Sequence, residues 1–86
     1  MLLSAATHKE AGRSVLIITA QENDWRRMIQ MVDGAILRRS DFHSVRSVLA
    51  GRARGRRAKV FVDNEVTDMG QDTEEFWDAI GLISDE

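Results

Sequence analysis

The chain has 86 residues, no cysteine and a formal net charge of −2, which bounds it to one small domain and excludes disulfide frameworks, thiolate metal sites and thiol nucleophiles. The net charge hides a division into blocks: residues 1–37 balance to zero, residues 38–59 set eight cations against Asp41 alone (+7), and residues 60–86 carry nine acids and no cation (−9). No apolar run approaches the roughly 18–20 residues that span a bilayer, and the N-terminus lacks a signal-peptide pattern, so a cytoplasmic protein that does not engage a membrane is expected.

Residues 1–13 mix small, polar and charged side chains and read as a flexible N-terminal arm, leaving residues 14–86 as the folded domain. Ser14-Val15-Leu16-Ile17-Ile18 is a continuous apolar, β-branched run, the pattern of a strand buried on both faces. Thr19 and Glu22 have capping-box spacing and predict a helix start. Trp25, Met28, Ile29 and Val32 then fall on one helical face, with Gly34 placed to end the helix.

Ala35-Ile36-Leu37 is a short apolar run, either a second strand or a connector. Ser40 or Asp41 would cap a further helix whose apolar face is Phe42, Val45 and Leu49, with Val48 beside them, stopped by Gly51. Arg52 to Arg57 reads as a tight connection bearing solvated charge, and Val60-Phe61-Val62 as another strand. Asn64 to Gly70 reads as a loop. Asp72, with Glu75 at the capping-box position, would start the last helix, which buries Phe76, Ile80 and Ile83 and leaves Trp77 on its flank. The order β-α-(β)-α-β-α predicts a small α/β domain with a two- or three-stranded, mainly parallel sheet; an α+β fold is the alternative.

No nucleotide-binding fingerprint follows the first strand: the turn TAQENDW has neither a glycine nor a Gly-Lys-Ser/Thr. His8 and His43 have no neighbouring partners in sequence for a metal site or a triad and read as surface histidines. Asp63, Glu65 and Asp68, near Asp72, are weak candidates for a divalent cation, because oxygen-rich clusters suit magnesium or calcium, but their spacing matches no calcium loop. No catalytic residue, metal or cofactor is therefore assigned.

The strongest feature is the basic block. Arg38, Arg39, Arg46, Arg52, Arg54, Arg56, Arg57 and Lys59 are the candidate binding residues, and guanidinium forks suit carboxylate or phosphate. The leading expectation is a non-catalytic interaction or regulatory protein. It would bind a protein partner, or itself as an oligomer, through its basic (38–59) and acidic (60–86) surfaces. Trp77, Glu74 and Asp78 are the candidate interface on the last helix. The alternative is nucleic-acid binding, with the arginines on phosphates, although no aromatic residue interleaves the dense basic run 52–59 for base stacking.

The stretches RGRRAKVFVDNE (54–65) and GQDTEEFWDAIG (70–81) carry a basic, glycine-marked turn into a strand, then an acidic turn into a helix. Together they resemble the end of a gelsolin-type repeat. Glu74, Glu75, Phe76, Trp77, Ile80 and Gly81 match that ending, with Thr73 where the family often has proline, while residues 15–40 have no counterpart of the family's central strands. The resemblance implies an actin-binding or calcium-modulated module.

Overall fold

The computed structural model describes residues 1–32 and 36–84. β1 (Val15–Thr19) is buried along its whole length, as expected of a β-branched run with neighbours on both edges and helices on both faces. It lies between β2 (Phe42–Ser44) and β3 (Lys59–Val62), giving the strand order β2-β1-β3. Both pairings are parallel, with Ile18 opposite His43 on one side and opposite Val62 on the other. The fold is therefore α/β.

Five α-helices, among the described residues, surround the sheet: α1 (Leu2–Glu10), α2 (Asp24–Gln30), α3 (Val45–Leu49), α4 (Asn64–Asp68) and α5 (Glu74–Ile83). Side-chain alternation along β1 divides the core into two layers. Leu16 and Ile18 pack with Val45 and Val48 of α3, Val66 of α4, and Phe76, Ile80 and Ile83 of α5. Val15 and Ile17 face the other way, onto Ala5 and Ala6 of α1, Met28 of α2, Leu37 and Phe42. The connection β1-α2-β2 thus runs over one face and β2-α3-β3 over the other, which moves the chain from one edge of the sheet to the opposite edge.

The predicted strands at 14–18 and 60–62 and the buried face of the last helix agree with this arrangement; other expectations are corrected. Residues 2–10 are helical rather than a loose arm. Ala5 and Ala6 are buried and let α1 approach the sheet closely. Gly12, at φ 82°, closes the helix: its N–H bonds the Lys9 carbonyl, and the next N–H, of Arg13, bonds that of His8. Lys9 also pairs with the buried Asp41 carboxylate, tying α1 to the segment before β2.

Thr19 ends β1 and does not start a helix; its hydroxyl donates to the Gln21 carbonyl, and α2 begins at Asp24. Ile36 and Leu37 are not strand, although Leu37 is buried; Gly34 and Ala35 lie outside the described residues. The second strand is instead Phe42–Ser44, entered through a single 3-10 turn at Arg39–Asp41. Asp41 caps no long helix. Its carboxylate accepts the Arg38 N–H at 2.8 Å, and Ser44 caps α3 by accepting the Ser47 N–H at 3.1 Å. Leu49, expected on the apolar face, is 39 % exposed.

Residues 64–68 form α4 rather than loop, held by the fully buried Val66 and stopped at Gly70, where φ is 67°. The last helix is capped by Thr73, not Asp72: the Thr73 hydroxyl accepts the Phe76 N–H at 3.2 Å.

A candidate anion-binding groove on the β2 edge

β2 is an outer strand, and all three of its residues line a groove of about 450 Å³. Trp25 of α2 forms one wall. Ser47 of α3 and Arg52 form the other, and Glu22, Arg39, Ser40 and Arg56 complete the lining. Three guanidiniums thus face one acid in a single concavity along a sheet edge.

Each arginine reaches the groove by a different route. Arg39 belongs to the 3-10 turn and places its guanidinium carbon 5.5 Å from the centre of the Trp25 ring, within cation–π range. Arg26 lies at 5.4 Å from the same ring. Arg56 is half-buried and structural as well as basic: it donates to the Ser40 carbonyl at 3.0 Å and to the Val15 carbonyl at 3.3 Å. Arg52 stands 3.9 Å from Glu22, but both side chains are largely exposed, so the pair leaves Arg52 free to accept a better partner.

His43 sits between these groups. Its Nδ1 is 3.1 Å from the Ser47 hydroxyl, and it is half-buried rather than a surface residue. Burial pushes its pKa below the ordinary value of 6.5, and the positive charges of Arg56 and Arg52 push it the same way. The groove therefore holds a neutral imidazole, three serine hydroxyls and three permanent cations, a donor set suited to an oxyanion.

Of the eight predicted basic residues, Arg39, Arg52 and Arg56 converge here. Arg38 is exposed and outside the lining, and so is Arg46 on α3. Arg54 lies in a separate hollow between α3 and α5, near Glu75 and Leu82. Arg57 and Lys59 sit at the start of β3, on the other side of β1. Sequence reasoning missed Trp25, Ser47 and His43 as groove residues. Trp25 supplies an aromatic wall beside the arginines, from a helix read only as core.

On the acidic side, Glu74, Trp77 and Asp78 are exposed on α5, which also holds the residues that carry the gelsolin-type resemblance; Trp77 is 47 % exposed and its ring packs edge-on against Phe76. Asp63, Glu65 and Asp68 line the start and length of α4, but no group of three or more potential metal ligands comes together among the described residues. No described helix is long and apolar enough to cross a membrane. No family model, curated protein or solved structure matches the chain.

Proposed function

We propose that this protein is a non-catalytic interaction module that receives an acidic protein partner in the β2-edge groove. The observation that carries the reading is the convergence of Arg39, from the 3-10 turn before β2, with Arg52 and Arg56, from the α3–β3 connection, on one concavity lined by a single acid. Guanidiniums held by a carbonyl pair, as in Arg56, or by an aromatic face, as in Arg39, lose little freedom on meeting a carboxylate. The exposed acids and Trp77 of α5 form a second surface of opposite charge on the same molecule. In this reading they discourage non-specific binding to polyanions and leave the groove to a partner that fits it.

A second reading has its own observation. Trp25 brings an aromatic ring to the arginines, the combination used to hold single-stranded nucleic acid. Fluorescence anisotropy separates the two. Labelled acidic peptide, single-stranded RNA and duplex DNA are each titrated with protein at low and moderate salt. Saturable binding of the peptide, with weaker binding of both nucleic acids, supports the proposal. Nucleic-acid binding that falls steeply with salt, in the absence of peptide binding, replaces it with the second reading. The gelsolin-type resemblance has a separate check, a calcium titration by calorimetry, in which a flat trace removes a calcium-modulated role.

A further inference from the structure

The open edge of β2 has a directionality that side-chain charge alone does not reveal. Along a strand, the N–H and C=O of one residue point to the same side, and successive residues alternate. The Ser14 and Ile18 carbonyls accept from the Lys59 and Asp63 N–H groups, each at 3.0 Å, so these residues address β3. The Val15 carbonyl accepts from Arg56, beneath β2. Ile17 and Thr19 therefore address β2, and His43, opposite Ile18, turns its backbone groups inward to them. Phe42 and Ser44 turn theirs outward. The Phe42 N–H is closed locally on the Arg39 carbonyl. The Phe42 carbonyl and the Ser44 N–H turn toward the groove that both residues line and have no backbone partner among the described residues, an acceptor and a donor two residues apart, which is the spacing a neighbouring strand uses.

We propose that the groove takes its acidic partner as an extended segment added to the sheet beside β2, with main-chain bonds to the Phe42 carbonyl and the Ser44 N–H. This rests on the reading of the groove as an acidic-partner site and specifies how the partner lies in it. Charge placement fits an added strand. Arg52 follows α3 on one face of the sheet, whereas Arg39 rests on Trp25 of α2 on the other. Adjacent side chains of an extended peptide point to opposite faces. Two consecutive acidic residues would thus place one carboxylate on Arg52 and the next on Arg39. The phosphate groups of a nucleic acid carry no donor for the Phe42 carbonyl, and a sugar-phosphate backbone lacks the paired amide N–H and C=O of one residue that match it together with the Ser44 N–H.

The test uses the wild-type protein and a short fluorescein-labelled peptide with a central Glu-Asp pair, flanked by valine and threonine. Companion peptides carry a single N-methyl group on successive main-chain amides, which removes one donor at a time. Anisotropy gives the affinities, and amide exchange of Ser44 is followed by NMR. Methylation of the amide that meets the Phe42 carbonyl is expected to weaken binding about tenfold, and methylation of the next amide, which faces away, to leave it within about twofold. Ser44 exchange slows on binding. If every methylated peptide binds like its parent and Ser44 exchange is unchanged, the partner is held by side chains alone; the added strand is then overturned and the groove reading stands. If no peptide binds at low salt, both fall together, and a parallel titration with single-stranded RNA shows whether nucleic acid takes the place of the peptide.

Discussion

The two edges of this three-stranded sheet are built from the same stretch of sequence and differ in nearly every property. The β2 edge borders a basic, serine-rich groove with Trp25 for a wall. The β3 edge is half-buried along Lys59–Val62 and continues an apolar surface: Val60 and Val62 pack into one core layer and Phe61 into the other. At its base, Ala58 is bridged in parallel by Ser84, and the Ala58 N–H bonds the Ile83 carbonyl at 3.1 Å. The residues that end α5 thus cover the base of the β3 edge, whereas no described strand pairs with the outer side of β2. The block 38–59 looks continuous in sequence, but the β2-α3-β3 crossover carries it over β1, so its two ends land on opposite edges. A run of charge in a sequence is therefore not a patch. Only Arg39, just before β2, and Arg52 and Arg56, which return to the β2 edge after α3, share a surface.

The largest expected effect sharpens the contrast on the α5 side. Phe76 is fully buried, so Phe76→Ala is expected to cost about 3–5 kcal/mol of stability. Its neighbour Trp77 is 47 % exposed, and Trp77→Ala is expected to cost about 1 kcal/mol or less. Urea denaturation of both variants checks the pair; equal losses would show that Trp77 is a core residue rather than part of an exposed surface.

Affinity rather than stability distinguishes the edges themselves. Arg39→Ala combined with Arg52→Ala removes two of the three groove cations without touching the carbonyl bonds of Arg56, and is expected to weaken acidic-peptide binding about tenfold or more. Arg46→Ala combined with Arg57→Ala removes the same formal charge outside the groove and is expected to change it by about twofold or less. Similar losses from both doubles, measured by anisotropy at moderate salt, would mean that net charge, not the groove, governs binding.

The smallest effect is the most local. His43 titrates below 6.5 in the folded protein, because burial and then Arg56 and Arg52 disfavour its charged form. The unfolded chain consequently binds more protons in this range, so the contribution to stability is complete above pH 6.5 and is lost as pH falls below it. A carboxylate in the groove offsets the arginine charges and raises the His43 pKa. Binding then takes up protons, and peptide affinity rises modestly as pH is lowered from neutral toward 6. His43→Gln is expected to flatten both dependences; a pH profile that survives this substitution would place the titrating group elsewhere.

The parts of the molecule legible in its sequence are those whose signal is local and long enough to repeat. Val15–Ile18 has the pattern of a strand buried on both faces, and Phe76, Ile80 and Ile83 keep one helical face over about two turns. α1 and α4 gave no such signal. α1 is buried through Ala5 and Ala6, which score as small rather than apolar, and α4 through Val66 alone. β2 has three residues, too few to show an alternation, and its neighbours Val45 and Val48 supply a helical period that absorbed Phe42.

The sequence by itself determined the buried central strand and the opposition of basic and acidic blocks, and pointed to the α/β class with α+β as the alternative, because each follows from side-chain chemistry repeated over neighbouring residues. Tertiary structure alone decided which strand lies on which edge, that Trp25 and His43 join Arg39, Arg52 and Arg56, and that the Phe42 carbonyl and Ser44 N–H face outward. Those outcomes depend on the hand of two crossovers and on the register of a parallel ladder. Both are set by contacts between residues far apart in the chain, and no local pattern encodes them.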